Sequence, residues 1–358
     1  MNYETKNISK KTYDSIFNQI ESDNKTKKNV NINSKILLID GLNTFIRAFS
    51  ANPAVNDDGS HIGGLIGFLK SLRYSIAKIK PTRCIIVFDG KNGSNKRRKI
   101  FSEYKGHRRI KQRFNRNVDW STSPVDEEQS MRMQMSRLVK YLEQLPLTLI
   151  SADNAEADDI IAYICTSLLK DSHKVIMSTD KDFIQLVNEL THVWSPTKKI
   201  LYDINKIFDE YGIYPKNFLT FKILNGDKSD NIAGIRGAGL KTIIKYIPKI
   251  SENKKINIKD IMSFVEKSDK KIKLFENIKD NYLMLKRNYL LMQLSNVDIS
   301  NYNKLKIQNV LHEKIPQLIK YKFSTMFVQD KLWGQIPDMD SWITEFIRLD
   351  RFGKLNGN

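Results

Sequence analysis

Three carboxylates, Glu156, Asp158 and Asp159, crowd the start of an apolar helical run in the sequence "NAEADDIIAYI". On a helix with 3.6 residues per turn they span one broad arc at the helix tip. An ordinary capping box, with Asp153 as N-cap and Glu156 three residues later, would explain two acids, and the helix dipole favours acids at this end modestly. It does not explain three acids grouped together.

Aspartates also end three short apolar runs that are typical of buried parallel strands. The run "KILLID" ends at Asp40, "CIIVFD" ends at Asp89, and "KVIMSTD" ends at Asp180, with Asp182 two residues on. Ligand sites in open α/β sheets lie at the carboxyl ends of the strands. One such aspartate is commonly the cap of the next helix, but three strands with the same ending predict a shared acidic site.

Carboxylates at this density raise one another's pKa and destabilise the fold unless cations neutralise them. Hard divalent cations such as Mg²⁺ prefer carboxylate and water oxygens. A second acidic group, Asp227 and Asp230, follows later in "NGDKSDNIAGIRGAGLKT". The simplest interpretation of the acids is therefore a metal site.

Glycines interrupt the chain directly after this second acidic group, at Gly234, Gly237 and Gly239, and Lys241 follows them. Glycine permits positive φ and close backbone approach, so the amides that open the next helix can face a phosphate. An ordinary turn between two helices is the alternative. Beside possible metal ligands, the pattern favours a backbone clamp on a nucleic-acid strand.

Positive charge is concentrated in one segment. The chain has 59 Lys and Arg against 40 Asp and Glu, a net charge of +19, which suggests a polyanionic partner or a lysine-rich proteome. Residues 91–116 hold eleven basic residues and one acid, which gives +10. Aromatic residues that could stack on unpaired bases are interleaved with them or follow them: Phe101, Tyr104, Phe114 and Trp120.

Alternating strand and helix patterns predict an α/β domain with a parallel sheet. "LTLI" (147–150) is a weaker fourth strand, and helical patterns cover about 61–79, 127–144 and 155–170. Helical patterns at about 257–267, 270–290 and 310–322 predict a mainly α C-terminal part. We expect a polar tail over 1–34, an α/β domain over 35–213, and a helical domain over 214–358.

The remaining features concern location and partners. Cys84 and Cys165 lie in apolar runs and are expected to be buried thiols of a reducing compartment. No apolar stretch reaches the length of a membrane span, and no signal peptide precedes the first strand, so we expect a soluble intracellular protein. The tail carries one apolar stripe, Tyr13, Ile16, Phe17 and Ile20, which docks either on this protein's own core or in a partner's groove.

The motifs "LLIDGLN", "VFDG", "YKGHR", "AEADDIIA", "STDKDF" and "GDKSDNIAGIRGAGLKT" occur in the order seen in the 5′-nuclease (flap endonuclease) superfamily. Over residues 35–300 the sequence resembles phage 5′-to-3′ exonucleases, including the ribonuclease H of T-even phages, and "WSP" (194–196) strengthens that similarity. The resemblance implies a central, mostly parallel sheet with flanking helices, a PIN-like nuclease domain with a basic helical arch at about 90–126, and a helical C-terminal region.

Carried over position by position, the resemblance implies two metal ions, Mg²⁺ with Mn²⁺ as a substitute. Asp40, Asp89, Glu156 and Asp158 would hold the first ion. The second would lie among Asp159, Asp180, Asp182 and Asp230, with Asp227 close by. The implied catalytic residues of the arch are Tyr104, Lys105 and Arg108.

The resemblance also implies a helix–hairpin–helix element at about 216–248 that grips duplex DNA and holds a K⁺ ion. The implied nucleic-acid-binding residues are Arg97, Arg98, Lys99, Arg109, Gly234, Arg236, Gly237, Gly239, Lys241 and Thr242.

The implied activity is structure-specific 5′-to-3′ exonuclease and flap endonuclease hydrolysis by a two-metal mechanism, with ribonuclease H-like action on RNA–DNA hybrids. We expect a monomer that removes RNA primers and 5′ flaps in phage DNA replication, in the cytoplasm of the infected host. A sliding clamp and a single-strand-binding protein are the expected protein partners. A non-catalytic binder of branched DNA on the same fold is the alternative. A phosphatase-like hydrolase would want a second acid two positions after Asp40, where Leu42 stands.

Overall fold

A single six-stranded sheet forms the centre of the protein. The computed structural model describes residues 31–106 and 113–355. The strands are β1 (Lys35–Asp40), β2 (Arg83–Asp89), β3 (Thr148–Ala152), β4 (His173–Met177), β5 (Thr191–Ser195) and β6 (Ile200–Tyr202). They lie in the order β3-β2-β1-β4-β5-β6, and β6 is antiparallel to β5 while the other pairs are parallel. The fold is therefore α/β with a mostly parallel sheet, as predicted.

Helices cover both faces of the sheet. They are α1 (Gly41–Ala51), α2 (Gly63–Ile79), α3 (Asn95–Ile100), α4 (Glu127–Leu142), α5 (Ala157–Tyr163), α6 (Ile204–Tyr211), α7 (Pro215–Asn225), α8 (Leu240–Tyr246), α9 (Ile258–Glu266), α10 (Lys273–Asp280), α11 (Tyr282–Met292), α12 (Asn301–His312), α13 (Lys320–Gln329) and α14 (Met339–Leu355). Short 3₁₀ helices span Lys181–Leu186, Lys228–Asp230 and Pro248–Ser251, and a π-helical turn, Ile164–Leu168, follows α5.

Strand register brings the predicted strand-end acids to one edge. Asp40 of β1 lies beside Val87 of β2, and Ile39 lies beside Met177 of β4. The side chains from Ile36 to Ile39 are fully buried, as a central strand covered on both faces requires. The chain therefore leaves β1, β2 and β4 at the same edge, and the loops that follow them meet there.

Two apolar clusters lie on opposite faces of the sheet. Helices α5 to α12 all contribute buried side chains to one cluster. The other joins α1, α2 and α4 to the last two helices, α13 and α14, and includes a contact between Tyr141 of α4 and Phe323 of α13 with ring centroids 5.1 Å apart. The C-terminal helices thus return to the sheet face opposite the rest of the helical region. The division of the chain at residue 213 stays a prediction.

Two predicted helical stretches were wrong in extent. The stretch predicted over 310–322 is instead the end of α12, a non-helical connection and the start of α13. Pro316 lacks an N–H group and disfavours helical backbone at Ile315, and Leu318 N donates to Asp350 Oδ1 at 2.9 Å instead. The stretch over 270–290 is two helices that break at Asn281. Strands β5 and β6 were not predicted.

Other predictions concern burial, membrane spans and the segments outside the described residues. Cys84 and Cys165 are buried free thiols, as predicted. None of the helices over 31–106 and 113–355 has both the length and the apolar run that a bilayer crossing requires. The apolar stripe of the tail lies outside the described residues, and so do Arg108, Arg109 and Lys111 of the arch.

Candidate active site

Two of the strand-end aspartates cap the helix that follows them. Asp40 Oδ1 accepts a hydrogen bond from Asn43 N at 3.1 Å and begins α1, and its Oδ2 accepts one from Ser178 Oγ at 3.2 Å. Asp180 Oδ1 accepts one from Asp182 N at 2.8 Å and begins a 3₁₀ helix. The capping interpretation is therefore correct for these two residues. Capping does not exclude a shared site, because Asp40 and Asp180 both remain at the acidic edge, which is the edge of the sheet where β1, β2 and β4 end.

Helix α5 is capped from another strand. Asp89 Oδ1 accepts a hydrogen bond from Ala157 N at 2.7 Å. Glu156 occupies the N-cap position but makes no capping bond with its own side chain. The alternative of a capping box is excluded, because Asp153 Oδ1 instead accepts a bond from Lys91 N at 3.2 Å. The carboxylate of Glu156 is therefore not used for capping and can interact with side chains at the edge of the sheet.

The acids lie within one another's electrostatic field. Burial raises the pKa of Asp40 to about 7, and the charges of Asp89 and Asp180 add to the rise. Burial and the charges of Asp180 and Asp40 also raise the pKa of Asp158 well above its ordinary value. Burial and the charge of Asp180 raise the pKa of Asp182 to about 7. The predicted crowding of carboxylates is present in the fold.

Three buried or half-buried cations offset part of this charge. The Arg97 guanidinium binds Glu156 and also Asp159, 2.7 Å from its Oδ1. Lys105 Nζ lies 2.6 Å from Glu156 Oε1. The two cations hold the pKa of Glu156 below its ordinary value, although burial opposes them.

Lys222 is the third cation, and the sequence interpretation missed it. Its Nζ lies 2.7 Å from Asp182 Oδ1 and also binds Asp227. Lys222 is buried in α7, within the apolar run "NFLTFKILN". A lysine inside such a run is the signal that could have found it, because a buried ammonium requires anionic partners.

The donor set suits a hard cation, although the side chains do not converge on one point. No group of three or more His, Cys, Asp or Glu side chains in the described ranges is arranged to enclose an ion. Arg97, Lys105 and Lys222 account for this, because they draw Glu156, Asp159, Asp182 and Asp227 into ion pairs. The carboxylates outnumber the cations, however, and carboxylate oxygens are the ligands of Mg²⁺. The residues therefore fit such an ion chemically, once it displaces ion-pair partners.

The base of the arch is attached to both acidic groups. The Tyr104 hydroxyl donates to Glu156 Oε2 at 3.3 Å, and burial followed by the charge of Glu156 raises the pKa of Tyr104. Lys105 N donates to the Asp230 carbonyl at 3.0 Å. Asn231 Nδ2 donates to the Glu103 carbonyl at 2.9 Å. These contacts place the ammonium of Lys105 directly over the acidic edge.

A cavity of about 430 Å³ opens beside these residues. Its lining includes Asp89, Asn92, Asn95, Arg98, Lys105 and Glu156. It thus combines carboxylates of the sheet edge with basic side chains of the arch. Negative charge for a cation and positive charge for a phosphate meet in one space, which is the arrangement that hydrolysis of a phosphate ester by a metal-assisted route requires.

Comparison with known proteins gives the family. The model of the 5′-3′ exonuclease N-terminal, resolvase-like domain matches residues 35–212. A 5′-3′ exonuclease of Buchnera aphidicola subsp. Schizaphis graminum is 29% identical over 297 residues, which are 80% of this chain and 96% of that protein. DNA polymerase I of Bacillus subtilis is 31% identical over 293 residues, again 80% of this chain but 31% of the polymerase.

The chain belongs to the 5′-nuclease superfamily. The fold agrees: a structure of the bacteriophage T5 D15 flap endonuclease has a TM-score of 0.57 at 20% identity and covers 83% of this chain and 99% of the T5 chain. That T5 structure is a complex with DNA and metal ions, and another, with a TM-score of 0.56, has zinc bound. The finer similarity to the ribonuclease H of T-even phages stays a prediction.

The predicted nucleic-acid contacts of this 5′-nuclease differ in exposure. Arg97 is buried in its ion pairs and donates to the Leu291 carbonyl at 2.8 Å, so the prediction that it contacts nucleic acid is wrong. Arg98 lines the 430 Å³ cavity and Lys99 is exposed. Arg236 and Lys241 are also exposed, and Thr242 is half-buried.

The glycine segment lies between α7 and α8. A Cβ at Gly234 would meet the Asn225 carbonyl oxygen at 2.1 Å, and Gly237 has φ +84°, so both positions favour glycine. Gly239 has φ −73° and open space around its Cβ position. The expectation that Gly239 needs special backbone freedom is therefore wrong.

Proposed function

We propose that this protein is a structure-specific 5′-to-3′ exonuclease and flap endonuclease that hydrolyses phosphodiester bonds. The observation that carries the proposal is the position of Lys105, whose ammonium lies 2.6 Å from Glu156 at an edge that also carries Asp40, Asp89 and Asp158. A fixed positive charge beside a carboxylate cluster suits the metal-dependent hydrolysis of a phosphate ester. Family membership supports the direction of attack from a 5′ end.

The proposed cofactors are two Mg²⁺ ions, with Mn²⁺ as a substitute. Asp40, Asp89, Glu156 and Asp158 would hold one ion, and Asp159, Asp180, Asp182 and Asp230 the other, with Asp227 close by. When bound, such ions activate water as a nucleophile and stabilise the charge of the leaving oxygen. The metal-bound T5 structures support metal dependence at the level of the fold.

The protein's own residues supply positioning and charge. Lys105 is paired with Glu156, one of the carboxylates that would hold a cation, and its ammonium would supply positive charge to the phosphate. The Tyr104 hydroxyl holds Glu156 in place from the buried side. Asp89 fixes the tip of α5 through Ala157 N, so the carboxylates of that helix keep their places at the edge. Arg108 would add positive charge from the arch.

The proposed substrates are DNA and RNA–DNA hybrids with a 5′ end or flap, so that RNA primers and flaps are removed. Duplex binding would fall to the helix–hairpin–helix element at about 216–248, which would also hold a K⁺ ion. Exposed Arg236 lies within its glycine segment, and exposed Lys241 follows that segment. Lys99, Arg98 and Arg109 would contact the single strand. The DNA-bound T5 flap endonuclease supports DNA as a substrate.

The cellular setting is proposed from the sequence alone. It comprises phage DNA replication in the host cytoplasm, a monomer, and contacts with a sliding clamp or a single-strand-binding protein.

A cleavage assay tests the proposed activity. A 5′-labelled flap substrate should give short labelled products with Mg²⁺ and none with EDTA, while a generic phosphomonoester should not be hydrolysed. Asp89→Ala or Asp182→Ala should bind the flap but cleave it orders of magnitude more slowly. Binding without cleavage by the wild-type protein would favour the non-catalytic alternative.

A further inference from the structure

A second cavity, of about 250 Å³, flanks the acidic edge on the side away from the arch. Residues of α1, β5, β6, α6, the loop after β4 and the 3₁₀ helix that follows it line the cavity. Asp180 is the only one of them that the sequence analysis named as a site residue. Its polar lining includes Arg47, Ser178, Thr179, Asp180, Lys181, Ser195, Thr197, Lys198, Tyr202 and Tyr211. Two apolar side chains, Ile184 and Val193, complete it.

Arg47 is the group in this cavity that indicates a ligand. Its guanidinium is half-buried, and burial alone lowers its pKa, with no neighbouring carboxylate opposing the effect. Among the residues that the structure describes, none forms an ion pair or side-chain hydrogen bond with it. A half-buried arginine without an anion loses hydration that nothing replaces, so an anionic ligand is the partner that its surroundings lack.

The other polar groups of the cavity also favour an anion. Lys181 Nζ lies 5.6 Å from the centre of the Tyr211 ring and is exposed at the rim. Ser195 Oγ accepts a long bond of 3.5 Å from Lys198 N, which leaves its own hydrogen free to donate. Lys198 is held by Tyr202 and Glu210, so its charge is largely matched. Asp180 is the acid of the lining and belongs to the proposed metal site.

The order of the strands relates this cavity to the first one. The 430 Å³ cavity contains Asp89 of β2, the 250 Å³ cavity contains Asp180 after β4 and Ser195 of β5, and β1 with Asp40 lies between β2 and β4. With strands about 4.8 Å apart, β5 is about 10 Å from β1. A nucleic-acid strand that crosses the acidic edge therefore has a cavity on each side of the phosphate under attack.

We propose that the 250 Å³ cavity is a phosphate subsite, in which Arg47 and Lys181 bind one backbone phosphate of the substrate strand beyond the scissile bond. The subsite rests on the proposed nuclease function and extends it, because it fixes the strand on the side opposite Lys105. Two anchored phosphates would hold the scissile phosphate in register over the carboxylates. A free nucleoside monophosphate has the same chemistry and is the other source of the anion.

A charge-deletion scan tests the subsite. Flap substrates that each carry one uncharged methylphosphonate linkage, at successive positions on both sides of the scissile bond, are titrated by fluorescence anisotropy in EDTA. The proteins are the wild type, Arg47→Gln, Lys181→Gln, and Arg132→Gln as a control. Arg132 is an exposed arginine of α4, paired with Glu128, that lines neither cavity.

For the wild type, we expect that an uncharged linkage at one position within about two nucleotides of the scissile bond weakens binding several-fold. For Arg47→Gln, the same uncharged linkage should not weaken binding further. Arg47→Gln and Lys181→Gln should each lower the salt-dependence slope of binding by about one, and Arg132→Gln should not. Lys181 is exposed, so its variant keeps the test valid if Arg47→Gln misfolds.

Two results would overturn the subsite. One is the absence of any linkage whose effect depends on Arg47 or Lys181. The other is binding of free deoxyadenosine monophosphate that requires Arg47 without any such linkage, which would make the cavity a mononucleotide site. Cleavage of the unmodified flap by the wild-type protein is measured in parallel, because its absence contradicts the proposed nuclease function whether or not the linkage effect is seen.

Discussion

Glu156 lies between two cations of different exposure, and that difference separates their roles. Arg97 is 9% exposed and binds Glu156 and Asp159, whereas Lys105 is half-buried and lines the cavity. Arg97 is thus a structural partner of the acids. Lys105 is the cation that we propose binds the phosphate.

We expect Lys105→Ala to lower the single-turnover cleavage rate by about 10²–10³, while flap affinity changes little, because its charge matters most as negative charge develops. Arg97→Ala should instead destabilise the fold by about 3–5 kcal/mol, because it leaves buried carboxylates unpaired. Single-turnover kinetics and chemical denaturation separate the two effects. Weaker binding with unchanged chemistry in Lys105→Ala would reverse the assignment.

The raised pKa values of Asp40 and Asp182, both about 7, predict how the metal-free protein responds to pH. Between about pH 4 and pH 7 these two carboxyls are protonated in the folded state but ionised in the unfolded state, where their pKa is near 4. The free energy of unfolding therefore falls as the pH rises from about 4 to 7. In EDTA the Tm should therefore fall by at least about 2 °C between pH 5 and pH 8. Asp40→Asn should flatten this dependence. A Tm that rises over this interval would contradict the crowding of the acids.

The turn between α7 and α8 gives a prediction at the scale of an element. Gly237 has φ +84° with open space, so Gly237→Val strains the backbone by about 1–3 kcal/mol and should weaken duplex binding about tenfold. Gly239→Val is the matched control, because φ −73° and an open Cβ position accept valine. Anisotropy with duplex DNA compares the two. Equal losses would show that the glycines act through something other than backbone conformation.

The elements that the sequence predicted best are those with one strong local signal. The runs ending at Asp40 and Asp89 are continuous and apolar, and they form the central strands. Strand β6 has three residues and pairs antiparallel at the sheet edge, so it carries almost no pattern of its own. The connection after α12 was missed because the apolar residues of 310–322 suit a helix locally, while Asp350 and Pro316 decide otherwise.

The site was predictable in its acids and in Lys105, but not in its buried cations Arg97 and Lys222. The acids were predicted because several strands of one parallel sheet end in aspartate, and the carboxyl ends of those strands lie at the same edge. The pairing of Lys222 with Asp182 and Asp227 depends on how α7 packs against the 3₁₀ helix after β4, and that packing has no signature in the spacing. The burial of Arg97 was missed for the same reason. A run of basic residues predicts an exposed surface, and only the packing of α5 against it shows that Arg97 is buried.

At the scale of the whole molecule, the C-terminal helices belong to the core of the nuclease sheet. Trp342 is 6% exposed and packs against Phe323 and Phe346, whereas Trp333 is 44% exposed. Trp342→Ala should cost about 3–5 kcal/mol of unfolding free energy, and Trp333→Ala much less. Denaturant titration measures both. A small loss for Trp342→Ala would indicate that these helices fold apart from the sheet.

The most direct test of the central claim is single-turnover cleavage of a 5′-labelled flap by Asp158→Asn in Mg²⁺. Asp158 lies in α5, and burial and the neighbouring acids raise its pKa well above its ordinary value. The amide keeps its shape and removes one repelling charge, so the variant should fold and bind the flap. We predict that its cleavage rate falls by at least about 10³ relative to wild type. Cleavage by Asp158→Asn within about threefold of wild type, or wild-type cleavage that persists in EDTA, would contradict a metal-dependent carboxylate site.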